Sequence, residues 1–308
     1  MKKFAKVVGI MALVLAVAGM ILALVGAFGG GVSVLNRLAE EGRLSFGPED
    51  FGLEELGQWN VVYELDEDTL FNENYRIYSG ANQRFDTDGE TVTGLVIGLS
   101  GGEVTIRQGT EEYWQVEVDG MGRFQVYAEN GVLYVVGAQS GFRVNVGEVT
   151  IYAPAQMNLD TARVDLGAGE TEIEYLAAER MELSVGAGTL YVEELVAEDL
   201  EVNVGAGEIQ IDSGQMGNVE AGVGMGAMDI EAMITGNLKG SVSMGELVVT
   251  VRGSGEKDHN YKLSCAAGEM TVGSRVYAGL GNSQEIDNGA ETTYKLDCAM
   301  GSLKVVFR

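Results

Sequence analysis

The chain has 308 residues, enough for one large or two small domains, and it is rich in glycine (45) with only two prolines. Its 46 acidic and 20 basic side chains give a net charge of −26, so there is no basic footprint for a phosphate backbone or for anionic lipid heads, and nucleic acid is excluded as an expected partner. Abundant glycine without proline points away from a linker-like chain and toward β-structure with tight corners.

Three lysines, Lys2, Lys3 and Lys6, precede an apolar run that opens at Val7 and closes at Phe28. Its 22 uncharged residues are enough to cross a bilayer as a helix at about 1.5 Å per residue. The flanking lysines would stay in the cytoplasm, placing the bulk of the chain outside. Val25 and Ala27 offer a loose cleavage site, but the run is longer than the roughly 7–15 residues of a signal-peptide core, so an uncleaved anchor is expected. The expected layout is a cytoplasmic tip and transmembrane anchor over residues 1–30, an acidic juxtamembrane spacer over 31–90, and a β-domain over 91–308. Within the spacer, Ser33 could cap a short helix through "VLNRLAEE".

From "TVTGLVIGLSGGEVTI" onward the text reads as short strands separated by turn residues. A motif then recurs. "LGAGETEI", "VGAGTLYV", "VGAGEIQI", "VGMGAMDI" and "VSMGELVV" end their corners at Gly169, Gly188, Gly207, Gly226 and Gly245, in steps of 19 residues. Two further copies end at Gly268 and Gly301. A single Gly-Ala-Gly resembles a phosphate loop, but a dinucleotide fingerprint needs a third glycine and a following helix. Here Gln210 takes the third-glycine place, and "EIQID" alternates like a strand. Seven copies therefore describe an architecture.

Numbered from the last motif glycine, positions −7, −5 and −3 read Met181, Leu183, Val185, then Leu200, Val202, Val204, then Val219, Ala221, Val223, and +2 and +4 pair Ile or Val with Leu, Thr or Met, as at Leu190 and Val192, Ile209 and Ile211, Met228 and Ile230. The positions between are mostly polar, as at Glu182, Ser184, Glu201 and Asn203. Period-two alternation places the apolar set on one face, and Leu176 and Leu195 at +7 mark a third side. Nineteen residues are too few for a strand–helix–strand unit of roughly 30. The reading is an all-β fold, a single-stranded parallel β-solenoid of about 19-residue coils, each burying its apolar side against the next. A less regular β-cap precedes it. Glycine at the corners is expected to supply positive φ.

The repeats, with "SGGEVTIRQGTEEYWQVEV", "GEVTIYAPAQMNLDTARVDLGAGE" and "CAMGSLKVVF", resemble the bacterial putative-adhesin β-strand-repeat family, largely a domain of unknown function, over residues 91–308. The resemblance implies an exported or membrane-anchored β-solenoid. Relatives occur in systems for envelope stress and cell-wall antibiotic response, and the family supplies no catalytic residues to carry over.

The sequence assigns no catalytic, cofactor-binding or metal-binding residues. His259, the single histidine, lies in "GSGEKDHNYK" and reads as a solvated loop residue. Ser254 and Lys257 match Ser-x-x-Lys, but that pair needs a helix start to aim both groups. The +1 position reads Glu170, Thr189, Glu208, Ala227, Glu246, Glu269, Ser302. Alternating acids spread charge, and a Ca²⁺ site would need them gathered. Cys265 and Cys298 both fall at −3 and are expected on neighbouring coils of one core ladder, as reduced thiols, with 14 extra residues looping out between them.

The expected function is non-enzymatic: a membrane-anchored envelope protein displaying an acidic β-solenoid for adhesion, scaffolding or envelope-stress sensing. Its partners would be the bilayer, through the run from Val7 to Phe28, together with cationic peptides or envelope proteins. The alternatives are an envelope polysaccharide-active β-helix enzyme, which would want a groove of acids and aromatics although Trp59 and Trp114 both precede the repeats, and a self-assembling stalk.

Overall fold

A computed structural model of the chain describes residues 75–120, 123–137, 147–157, 159–278 and 281–308. The apolar run at residues 7–28 and most of the acidic spacer lie outside the described residues. Among the described residues no helix is long and apolar enough to cross a membrane.

The described chain is all β except for one short 3-10 turn, Glu256–Asp258. In chain order the strands are β1 (Ile77–Tyr78), β2 (Gln83–Asp86), β3 (Gly94–Leu99), β4 (Glu103–Gln108), β5 (Gln115–Gly120), β6 (Phe124–Glu129), β7 (Val132–Gly137), β8 (Gly147–Ala153) and β9 (Leu159–Leu166). Then come β10 (Glu170–Val185), β11 (Thr189–Val204), β12 (Glu208–Ile211), β13 (Gly214–Val223), β14 (Ala227–Ile234), β15 (Leu238–Val242) and β16 (Glu246–Val251). The last six are β17 (His259–Cys265), β18 (Glu269–Val272), β19 (Arg275–Ala278), β20 (Asn282–Ile286), β21 (Thr292–Cys298) and β22 (Ser302–Phe307).

Between residues 159 and 251 successive levels pair in parallel 19 residues apart: Val185 with Val204, Val204 with Val223, Val223 with Val242; the step shortens to 18 where Gln215 and Met216 meet Met233 and Ile234. The 19-residue period is therefore the step from one level to the next. β10 and β11 each run 16 residues without a break, from one corner to the next. Leu176 and Leu195, midway along them, are fully buried. Like side chains stack on like. At −3 the ladder is Val185, Val204, Val223, Val242, then Cys298 and Cys265. At −5 it thins to Ala221 and Gly240. A Cβ on Gly240 would press on Leu296 at 3.1 Å and Leu247 at 3.2 Å, so the missing volume is filled by Leu296 of the neighbouring strand and by Leu247 of β16.

At both ends the order of levels departs from the order of the chain. β15 and β16 pair with β21 and β22, the last strands in the sequence. β17 and β18 lie beyond these. The copy ending at Gly301 is thus inserted between those ending at Gly245 and Gly268. The 14 extra residues do not simply loop out; they form β19 and β20, which pair antiparallel with β18 and β17 and close the edge. The N-terminal end does the same. β3 and β4 carry β9 and the start of β10 on one side and β7 and β8 on the other. β6 and β5 pair antiparallel with β7 and β8, and β1 and β2 add outside them. Two further levels, at the corner Ser100-Gly101-Gly102 and at Gly147, thus precede the seven visible in the repeat.

The corner glycines are required for a reason other than the expected one. Gly102 and Gly169 do have positive φ, 110° and 116°, but Gly207 is not among the positive-φ residues. What Gly207 lacks is room: a Cβ there would run into the carbonyl oxygen of Gly188, one level away. Gly226 stands in the same relation to Gly207, Gly245 to Gly226, Gly301 to Gly245 and Gly268 to Gly301. The backbones approach so closely because the ladder continues through the corner, with Thr189 N donating to Gly169 O at 2.9 Å and Glu208 N to Gly188 O at 2.9 Å. Corner N–H groups occupied in this way are not free to cradle a phosphate.

Candidate interaction face

The side chains that alternate with the core ladders make ladders of their own on the outer face of the sheet. Three columns run along it. The −8 column is Thr161, Arg180, Asp199, Asn218, Asn237, Thr293 and Asn260, tied together by amides: Asn218 Nδ2 donates to Asp199 Oδ1 (2.9 Å), Asn237 N to Asn218 Oδ1 (3.0 Å) and Thr293 N to Asn237 Oδ1 (2.9 Å). The −4 column is Asp165, Ser184, Asn203, Gly222, Ser241, Asp297 and Ser264.

The −6 column between them is charged. Arg163 is followed by Glu182, Glu201 and Glu220, then by Lys239, Lys295 and Lys262, then by Glu285 of the closing strand β20. Arg163 reaches Glu182 at 3.7 Å, Lys239 meets Glu220 at 2.5 Å, and Lys262 meets Glu285 at 3.6 Å. Burial raises the Glu182 carboxyl above its ordinary value of 4.5, opposed by Arg163 and assisted by Asp165 and Glu201. The surface is a shallow groove of about 1080 Å³. Toward the N-terminal end the column passes through Val96 to Tyr134 and Tyr127, where Tyr75, Tyr127 and Tyr134 stack at centroid distances of 4.1 and 4.7 Å.

Stepping back 19 residues from Lys239 gives Glu220, Glu201, Glu182 and Arg163, so half of this column is legible as a repeat position. The other half is not, because Lys295 precedes Lys262 in space and follows it in sequence.

His259 corrects the sequence reading. It is 4% exposed, begins β17, and stacks on Tyr294 at 4.1 Å. Its Nε2 lies 2.9 Å from Ser254 Oγ and its Nδ1 2.7 Å from Thr292 Oγ1. The loop that looked solvated is drawn inward because the inserted β21 supplies both Tyr294 and Thr292. Burial lowers the imidazole below its ordinary value of 6.5, so the ring is held neutral. A Ser–His contact is one element of nucleophilic catalysis, but the second ring nitrogen meets a hydroxyl, which orients the ring without stabilising an imidazolium. Ser254 faces His259, and Lys257 lies exposed in the 3-10 turn, so the Ser-x-x-Lys pattern assembles nothing.

The +1 carboxylates alternate better in space than in sequence: Ser302 sits between Glu246 and Glu269. At the other end alternation fails, and Glu148, Glu103 and Glu170 occupy successive levels. Among the described residues no cluster of three or more histidine, cysteine, aspartate or glutamate side chains is arranged to hold a metal. Cys265 and Cys298 are register partners, buried and free. Burial, and after it the neighbouring Cys265, pushes the Cys298 thiol up to about 11.

An all-β stack of repeats with an ordered polar outer face defines the class of protein. The Toastrack DUF4097 family model matches residues 92–305, and the chain belongs to that family. Solved structures similar to it include a Bacteroides fragilis protein called a putative adhesin (14% identity, 74% of this chain and 98% of that one, TM-score 0.44). A Parabacteroides distasonis protein called a putative lipid binding protein is also similar (16% identity, 74% and 97% coverage, TM-score 0.41). So is a Clostridium sporogenes protein called a putative cell adhesion protein (12% identity, 74% and 100% coverage, TM-score 0.32). No curated protein sequence matches the chain.

Proposed function

We propose that the chain is a non-enzymatic envelope protein, held in the membrane by residues 7–28, which displays a short β-solenoid outside the cell for adhesion or scaffolding. The observation that carries this reading is the outer face of the sheet. Its side chains recur in register along three columns, fixed by the same ladder that builds the core, so the face is a preformed surface that loses little entropy on contact. The apolar run and its preceding lysines support the topology. The strong negative charge supports an exported surface that stays soluble and attracts cationic partners. The experiment is protease treatment of intact spheroplasts carrying the full chain with tags at both ends. The C-terminal tag is expected to be lost while the N-terminal tag is protected, and excision of residues 7–28 is expected to release the domain from the membrane fraction. A C-terminal tag accessible only after lysis overturns the topology, and cleavage of an envelope polysaccharide by the purified chain overturns the non-enzymatic assignment.

A further inference from the structure

The charged column raises a question of its own. Strand neighbours in register lie about 4.8 Å apart, and like charges directly opposite each other destabilise a sheet. Alternating acids and bases would remove that cost within one chain. The column instead groups three glutamates, Glu182, Glu201 and Glu220, and then three lysines, Lys239, Lys295 and Lys262, each block occupying successive levels. Opposite charges of the column pair where its sign changes, at Arg163 and Glu182, at Glu220 and Lys239, and at Lys262 and Glu285.

The sequence of signs along the column, from Arg163 to Glu285, is plus, three minus, three plus, minus. Reversed, it is its own complement. A second copy placed face to face, turned about a two-fold axis that runs parallel to the strands between Glu220 and Lys239, inverts the column while keeping each column opposite itself. Glu220 then faces Lys239 of the other copy, Glu201 faces Lys295, Glu182 faces Lys262, and Arg163 faces Glu285. All four kinds of contact are of opposite sign. The flanking columns agree. Asn218 meets Asn237, Asp199 meets Thr293 and Arg180 meets Asn260 at −8. Asn203 meets Asp297 and Ser184 meets Ser264 at −4, with Gly222 and Ser241 buried beneath the centre of the face. Neither flanking column opposes two charges of one sign. This is the isologous relation that a closed dimer requires.

We propose that this face is the interface of a homodimer, two copies packed sheet to sheet in opposite directions through the charge column. The occupant is a second copy because the complementary pattern is the column's own, carried by residues between Arg163 and Lys295. Seven strand spacings by about 15 Å give a contact of roughly 500 Å² per copy, small and polar, which marks a weak, salt-sensitive association. The net charge of −26 opposes any dimer, and a locally balanced face is where two such chains can meet.

The test uses the full chain in a non-ionic detergent, followed by sedimentation at about 150 mM salt, where a screening length of about 8 Å damps the repulsion between the two net charges more than the attraction between pairs in contact. A concentration-dependent dimer is expected. Lys239→Glu/Lys262→Glu/Lys295→Glu makes the column acidic throughout, and Glu182→Lys/Glu201→Lys/Glu220→Lys reverses the other block. Each variant alone should be monomeric, and an equimolar mixture should form heterodimers. A zero-length carbodiimide crosslinker on the unmutated chain gives an independent reading. Glu201 and Lys295 are three levels apart within one chain, roughly 14 Å, so a Glu201–Lys295 crosslink reports contact between copies. A chain that stays monomeric at about 150 mM salt overturns the proposal. So does a dimer that forms no such crosslink, and so do two folded variants that fail to associate when mixed.

Discussion

The middle of the stack, residues 159–251, and its two ends solve different problems with the same strand. In the middle every edge is already covered by the next level, and a 19-residue repeat needs only an apolar ladder and a corner that lets backbones touch. At the ends there is no next level, and an exposed parallel edge invites further pairing. Both ends close it in the same way. The chain runs past the final coil, folds back as an antiparallel layer (β5 and β6 at one end, β19 and β20 at the other), and returns to fill the level it left. Periodicity records stacking, and the break in periodicity records closure.

The comparison predicts unequal tolerance to deletion. Removing residues 292–308 takes out Tyr294, Leu296, Cys298, Leu303 and Val305, all buried. At about 2 kcal/mol each this is about 10 kcal/mol, as large as the whole stability of an ordinary domain, and it strips one edge each of β16 and β18 of its partner strand. Such a truncation is expected to abolish the cooperative thermal transition. Excising residues 189–207 joins Gly188 to Glu208, which already shares its register with Thr189, so the shortened chain is expected to remain folded by circular dichroism with a single transition. A middle deletion as damaging as the C-terminal one would break the distinction.

Corner glycines sharpen it. Gly207→Val puts a side chain against the backbone of Gly188 and is expected to cost more than about 3 kcal/mol in denaturant unfolding. Gly89, outside the repeats, has φ of +84° and open space around it, so Gly89→Ala is expected to cost about 1 kcal/mol from conformation alone.

The C-terminal closure should also show in pH dependence. His259 is depressed in the fold by burial, so the unfolded chain takes up the proton first. Stability from the neutral ring is fully present above the unfolded value near 6.5 and is lost as pH falls below it toward the folded value. Denaturation midpoints measured from pH 7.5 downward are expected to drop once pH passes about 6.5, and His259→Asn should flatten that part of the curve.

The smallest effects separate two tyrosines packed edge to face. Tyr261 donates its hydroxyl to Glu256 O at 2.6 Å, whereas the Tyr294 hydroxyl is buried with no partner among the described residues. Tyr261→Phe is expected to lose about 1 kcal/mol and Tyr294→Phe to be neutral or to gain up to about 1 kcal/mol.

The core was largely legible because ladders turn position into repeat: Val185, Val204 and Val223 declare themselves at one step, and the cysteines join them at −3. The neutral, buried state of His259 was hidden because its stacking partner, Tyr294, belongs to a strand that returns from later in the chain. For the same reason Lys239, Lys295 and Lys262 could not be read as neighbours. The corner glycines were found but explained by conformation, when close approach between levels is what holds Gly207 to glycine. Contacts one repeat apart are written in the sequence as a period. Contacts made by the returning strands have no fixed spacing, and only the fold supplies them.

The placement of β22 between β16 and β18 sets an order in time. A chain delivered from its N-terminus, by a ribosome or across a membrane, can zip level upon level through residue 251 as each repeat emerges. It then meets a level whose own residues have not yet arrived. β17 and β18 must wait beside a vacant position until residues 292–308 have emerged and can enter. The level between them and β15 and β16 is thus the last to be filled, although it is not the last in space.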